Sequence, residues 1–287
     1  MPVANTNLYQ EDFVVKFQER LDKDTNWKQM CKVDISNKRV LNNPYMSTVP
    51  ALQAHTRGTA YTHQTYALTN EAVTINQSQN LGNFIDRADL AQQTYVSMMD
   101  LAELQGQLID EQLETDMLVN HAMWTDFDNA SIGGAAGNIA VSASTIDDII
   151  RGVKREIREA NGTSLMNRNG VGFVWRAADF EVLEAYVQGN GFTEADKALK
   201  NGTVEGFRYL GCDHYVSNLH ATGHVFAGVK KLFHLGILQD TYGQVIYDQE
   251  PATADGPLSG VGIVSRIDWE FVGWNNTKTL LFDVLVS

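Results

Sequence analysis

The sequence predicts an α+β fold, and three observations carry that prediction. In "VTINQSQNLGNFIDRADLAQQTY", residues 73–95, the hydrophobic period changes from two to the helical value partway along. Runs such as "VGFVW" at Val171, "HVFAGVKKLFHLG" at His224 and "GIVSRIDWEFVGW" at Gly262 have the length and β-branched composition of strands. Between these groups, Ile146, Ile149, Ile150, Val153 and Ile157 recur as the stripe of an amphipathic helix. With 287 residues, 44% of them hydrophobic, the chain can bury a sizeable core in one large domain or two unequal ones.

Residues 1–32 are polar apart from "YQEDFVVKFQERL", where Phe13, Phe17 and Leu21 fall on one helical face at spacing four. The segment reads as an arm more than a core element, which makes Phe13 and Phe17 candidates for contact with a neighbouring subunit. Residues 33–70 hold two prolines, many Thr and Tyr, and an alternation in "TAYTHQTYAL" that suits strands exposed on both faces. An extended hairpin is expected there. A structureless loop of that length does not belong inside a compact domain, and a hairpin presents open edges that need partners. Tyr61 and Tyr66 are its candidate aromatic anchors.

The alternation in "EAVTINQ" predicts a strand. From Asn83, with Asp86 in capping-box position, Phe84, Ala88, Ala91, Tyr95, Met98, Ala102 and Ile109 recur at helical spacing. Carried to His121, this helix has about 39 residues and a length of about 58 Å. A compact globule of this chain length is roughly 49 Å across, so the helix outspans it. The alternative is two helices broken near Gly106; the apolar heptad fails at Gln105 and Gln112, which disfavours a coiled coil.

After "SIGGAAGNIA", a hinge, a second helix is expected from Ser144 or Thr145, with Asp147 and Asp148 in its first turn and its end before Gly162. Arg151, Arg155 and Arg158 share its other face. The like-charged Asp110 and Glu114 need cations, and these arginines are the expected partners, within the chain or across a subunit boundary. Further on come the strand "VGFVW", the helix "AADFEVLEAYVQG", a short helix "TEADKALKNG" capped by Thr193 and Asp196, and strands in "GFRYLGCDHYVSN" and "HVFAGVKKLFHLG". The last thirty residues read as two strands joined by a turn at Asn275 and Asn276.

Charge excludes one class of function. The formal net charge is −13, and residues 41–121 carry only Arg57 and Arg87 against nine acids. A protein that grips nucleic-acid phosphates needs clustered Lys and Arg. Neither a basic-plus-apolar leader nor an apolar run of about 20 residues is visible, so secretion and membrane insertion are not expected. Cys31 and Cys212 are too few for a disulfide scaffold or a four-ligand zinc site, and read as reduced thiols in a cytoplasmic setting.

The search for chemistry is nearly empty, so no catalytic, cofactor or metal residue is singled out and the chain is not expected to be an enzyme. Cys212 and His214 share a strand face only with Asp213 turned away, a poor start for a Cys-His nucleophile. His214, His220, His224 and His234 lie within 21 positions, which leaves a soluble metal-dependent hydrolase using that region as an alternative. The "GVG" runs lack the rest of a dinucleotide fingerprint, and no Walker lysine is present.

The order of parts resembles a known family. An arm, a long extended loop, a strand leading into a long helix, a second helix, a compact mixed domain and returning strands is the layout of the tailed-phage major capsid (coat) proteins of the Hong Kong 97 type. The phrases "NFIDRADLAQQTY", "FVWRAADFEVLEAYV", "ADKALKNGTVEGFRYLGCDHYVSNLH" and "SGVGIVSRIDW" are similar to those of such coat proteins. The resemblance implies an N-terminal arm at 1–32, an extended loop at 33–70, a peripheral domain with a spine helix at 71–165 and 252–287, and an axial domain at 166–251. It implies a structural protein that self-assembles as pentamers and hexamers into an icosahedral bacteriophage head, located in the virion and assembled in the host cytoplasm. Scaffolding, portal and cement proteins would be its partners, and packaged double-stranded DNA would lie against it by proximity alone, repelled by the acidic helix region. An encapsulin-like compartment shell is the alternative of the same fold. Some relatives weld subunits by an isopeptide bond from a loop lysine; here no lysine lies between Lys38 and Lys154, so non-covalent contacts are expected to hold the shell.

Overall fold

In a computed structural model of the chain, the structure describes residues 4–22, 26–47, 52, 54–60, 63, 65, 67–86, 95–189, 207–242, 244–249, 252–253, 256–257 and 260–287. The chain begins with helices α1 (Ala4–Asp22) and α2 (Asn26–Met30). Strands β1 (Cys31–Ser36), β2 (Val40–Met46), β3 (Leu68–Thr74) and β4 (Gln77–Asp86) lead to the long helix α3 (Tyr95–Val119), a 3-10 turn at Asn120–Met123 and β5 (Thr125–Phe127). Helices α4 (Ile146–Glu159) and α5 (Thr163–Asn169), β6 (Val171–Trp175) and α6 (Ala177–Gly189) follow. Then come β7 (Phe207–Tyr209), β8 (Cys212–Val216), β9 (His224–Val229), β10 (Phe233–Leu238) and β11 (Gln244–Gln249). A two-residue ladder of β12 (Ala252–Thr253) and β13 (Gly256–Pro257) precedes β14 (Gly260–Gly273) and β15 (Leu281–Leu285).

Two sheets organise these elements. One contains β1, β10, β14 and β11 in that order, with β4 also paired to β14; the other runs β5-β15-β9-β6-β8-β7. The chain passes between them three times, from β4 through the long helix to β5, from β9 to β10 and from β14 to β15. The final strands therefore do not form a hairpin, although the expected turn is present at Asn275 and Asn276. The sheets cut the chain elsewhere than at 166 and 252, because β10 and β11 join the first sheet while β5 and β15 join the second.

An aromatic chain crosses the junction. Trp124 stacks on Phe226 at 4.1 Å and meets Phe233 edge-on at 5.7 Å, and Phe233 stacks on Phe271 at 5.4 Å. One continuous hydrophobic core results, running from α1 to β15. Helix α4 fits its sequence stripe: Ile146, Ile149, Ile150, Val153 and Ile157 are fully buried, with Asp147 and Asp148 in the first turn.

The long helix departs from the sequence reading at its start. Residues 83–86 continue β4, which pairs with β14 from Gln77 opposite Trp269 to Asp86 opposite Gly260. Leu81, Asn83 and Ile85 turn inward and Phe84 outward, so alternation backed by a ten-residue ladder prevails over the helical spacing of Phe84. Asn83 and Asp86 are no capping box. Among the described residues the helix covers 25 residues, about 37 Å; residues 87–94 of the expected helix lie outside the described residues. It is continuous through Gly106, where a side chain is excluded: an added Cβ would lie 2.9 Å from Cβ and Cγ of Arg20. The glycine costs about 1 kcal/mol of helix propensity and lets α1 approach closely.

That approach overturns the arm. Phe13 and Phe17 are fully buried and Leu21 nearly so, packed with the long helix in the chain's own core. They offer no surface to a neighbour. Apolar spacing alone does not say whether the partner face belongs to the same chain.

Candidate subunit-interaction surfaces

The hairpin is the least self-sufficient part of the described chain. β2 and β3 pair antiparallel from Val40 opposite Thr74 to Met46 opposite Leu68, and form a sheet of two strands only. Neither strand contains a buried residue, and the paired Met46 and Leu68 are exposed by 52% and 68%. An isolated two-stranded hairpin is marginal in water. Among the described residues its side-chain ties to the rest of the chain are at the root: Asn275 donates from its backbone N–H and Nδ2 to Glu71, at 3.0 and 2.8 Å, and Asn43 donates to Asn276 at 3.2 Å. The expected extended hairpin is thus present, but it starts after β1, because residues 31–36 pair with β10 in the first sheet. Tyr61 and Tyr66 lie outside the described residues, as does the short helix expected at "TEADKALKNG".

Other apolar surface is open as well. Val33 and Ile35 are exposed on β1, the outer strand of its sheet, and Leu104 and Leu108 form an exposed pair one turn apart on the long helix. Strand edges and apolar helix surface of this kind are what copies of a chain cover for one another.

The arginines of α4 do not reach the long helix. Arg151 pairs with Asp147 at 2.6 Å, and Arg155 with Glu156 at 3.2 Å and Glu159 at 3.8 Å, while also donating to the Ser131 carbonyl. Exposed pairs of this kind are worth under about 1 kcal/mol each. Arg158 is exposed beside Lys154, Arg168 and Arg208 in a polar hollow of about 480 Å³. The cations that meet Asp110 come instead from the N-terminal helices, Lys28 at 2.9 Å and Arg20 at 3.6 Å. Within the chain these cations take the place expected of the α4 arginines, because nothing in the sequence indicated that α1 lies along the acidic helix.

The acidic face is correspondingly reduced. Asp110 is buried, and Asp116 accepts from Trp269 Nε1 at 3.1 Å and from Gln112 at 2.8 Å. Burial raises the Glu114 carboxyl above its ordinary range, opposed by a hydrogen bond with Ser217, and burial also raises Asp116. Of the six acids from Asp100 to Asp116, only Asp100 and Glu103 are exposed.

The chemistry candidates resolve into structure. Cys212 and His214 share a buried face with Asp213 turned out, as their alternation requires, and burial pushes the Cys212 thiol up to about 11, away from a nucleophilic thiolate. His214 accepts from Trp175 Nε1 at 3.0 Å through Nδ1, while Nε2 faces the Tyr209 carbonyl at 3.3 Å, which fits a neutral ring protonated at Nε2. His220 accepts the Phe226 N–H at 2.9 Å, and His234 meets Asp34 at 3.0 Å. The four histidines from His214 to His234 form no single site.

His214 has a measurable consequence. Burial lowers its pKa to about 4 from an ordinary value near 6.5. The unfolded chain therefore takes up a proton first as pH falls, so the His214 contribution is complete above pH 6.5 and is lost between about 6.5 and 4. The full loss is of order 3 kcal/mol for this group. Denaturant unfolding at pH 7 and pH 4 should show it, and His214→Gln should flatten the difference.

One cluster escaped sequence reasoning. Nδ1 of His224 and Nδ1 of His121 approach the same oxygen, Oδ2 of the buried Asp283, at 2.8 and 3.3 Å, and the two rings stack at 4.0 Å. His121 and His224 are 103 positions apart and His224 and Asp283 are 59 apart, so no spacing rule could have joined them.

No family model matches the sequence, and no curated protein matches it. Solved structures do match in fold. The mature capsid of bacteriophage PhiM1 aligns with a TM-score of 0.60 at 12% identity, over 92% of this chain and 88% of that one. The capsid of cyanophage P-SCSP1u aligns with a TM-score of 0.58 at 13% identity, over 92% and 89%. A virus-like particle from Pyrococcus furiosus aligns with a TM-score of 0.59 at 9% identity, over 96% and 99%. The alignments span most of each chain, and the chain has the Hong Kong 97-type fold of tailed-phage capsid proteins.

Proposed function

We propose that the chain is a major capsid protein, which builds the icosahedral head of a tailed phage by associating with itself as pentamers and hexamers around double-stranded DNA. The observation that carries this reading is the hairpin, a two-stranded sheet with no buried residue in a fold otherwise closed around its core. Such a hairpin gains stability only by adding to another subunit. The role is structural and not catalytic, and the protein belongs to the virion after assembly in the host cytoplasm. Scaffolding, portal and cement proteins are its expected partners. The first sheet with the long helix corresponds to the peripheral domain, and the second sheet with α4, α5 and α6 to the axial domain around the capsomer centre.

Particles isolated with the chain as their main component are expected to protect double-stranded DNA from nuclease. Protein cargo in place of DNA would favour the compartment-shell reading, for which the similarity to the virus-like particle is the supporting observation.

The shell is held without covalent welds. No lysine lies between Lys38 and Lys154, and Lys38 sits between β1 and β2 at the base of the hairpin, its backbone tied to Ser36. Cys31 and Cys212 are both buried. Boiling mature particles in detergent should release one band at 31.9 kDa, and a ladder of covalent oligomers would contradict the arrangement.

A further inference from the structure

We propose that His121, His224 and Asp283 form a site for a divalent first-row transition ion, zinc being the type its donors suit, which clips the end of the long helix to the second sheet. The ligand atoms all lie within 4.8 Å of one another. Two imidazole nitrogens and one carboxylate oxygen are borderline donors suited to Zn²⁺ and its neighbours, and leave a fourth position for water. Bonds of about 2.0–2.1 Å in tetrahedral geometry place such atoms about 3.4 Å apart. The present separations from Asp283 Oδ2 are 2.8 and 3.3 Å, so modest ring rotations bring all three to coordinating distance.

A second observation points to a ligand. Asp283 is only 2% exposed, and its Oδ1 is buried without a hydrogen-bond partner. A half-satisfied buried carboxylate is costly unless a cation compensates it. The two rings stack at 4.0 Å and both turn Nδ1 toward the same carboxylate oxygen, so three donor atoms converge on one point, where a divalent ion offsets the carboxylate charge. Coordination through Nδ1 requires each ring to bind as the tautomer protonated at Nε2, so the ion takes the place of the Nδ1 hydrogen bonds to Asp283. The placement gives the ion its role: His121 is in the turn Asn120–Met123 that ends the long helix, His224 opens β9, and Asp283 is central in β15. A bond to each ties the end of the helix to two neighbouring strands of the second sheet.

The test is titration of Co²⁺ and Zn²⁺ into the full chain, purified without a histidine tag. One ion per chain is expected, with a Co²⁺ absorption spectrum of tetrahedral intensity. At 100-fold excess over the dissociation constant, the ion should raise the melting temperature by about 5 °C. Asp283→Asn and His224→Gln should weaken binding more than 100-fold, beyond the roughly 10–100-fold of an outer-shell change. If those variants do not fold, His121→Gln replaces a ring whose side chain is 30% exposed and serves as the readout. His55→Gln, at an exposed position outside the cluster, should leave binding unchanged. Equal binding by His121→Gln, or no stoichiometric uptake by the parent chain, would overturn the site.

Discussion

Phe17→Ala should lower the stability of the unassembled subunit by about 3–5 kcal/mol, the range for deleting a buried aromatic ring. Phe17 is fully buried in the core shared by α1 and the long helix, close to where Gly106 lets Arg20 lie against the helix backbone. The ring cannot be replaced by a neighbouring side chain without moving α1, whose Arg20 also faces Asp110. Denaturant unfolding of the soluble subunit reads the loss directly. Were residues 4–22 a free arm that clasps another subunit, the isolated subunit would unfold with unchanged stability and only assembly would suffer.

Excising the hairpin should do the reverse. Joining Arg39 to Ile75 through a short glycine linker removes β2, β3 and the loop between them; the backbone bond from Ile75 N–H to the Arg39 carbonyl, 2.8 Å, shows that the two ends already meet. No residue of either strand is buried, so the core is untouched and the subunit should melt within about 1 kcal/mol of the parent, the usual range for surface changes. Particle yield should fall to nothing. Every copy in a closed lattice loses its strand-addition contacts at once, and multivalent contacts fail together. Normal particles from this variant would remove the hairpin from the assembly mechanism.

The contrast between these two variants mirrors what was legible in the sequence. Helix α4 could be read from five isoleucine and valine positions and two first-turn acids, because its burial stripe and its end signals are local. The hairpin could be read in outline only: its described strands are not the Thr- and Tyr-rich alternation of residues 59–68 but residues 40–46 and 68–74, and the second runs past the expected end at 70 into "EAVT". The strand at 83–86 could not, since Phe84 satisfies a helical spacing and only pairing with β14, some 180 residues away, reveals the alternation of Leu81, Asn83 and Ile85. Phe13 and Phe17 were correctly placed on one helix face, yet the face does not name its partner. The division into sheets was hidden for the same reason: β9 and β10 are separated by three residues and belong to different sheets. The cluster of His121, His224 and Asp283 arises from that topology, because it joins a helix end to two strands that meet only after folding.

Electron cryomicroscopy of particles formed by the purified chain tests the account most directly, since it shows assembly, the hairpin and the first helix in one map. The account predicts closed shells in which residues 40–74 of each subunit lie against a neighbour while Phe13 and Phe17 remain packed on the long helix of their own chain. A preparation containing only monomers of 31.9 kDa, or shells in which each hairpin contacts nothing but its own subunit, would contradict it.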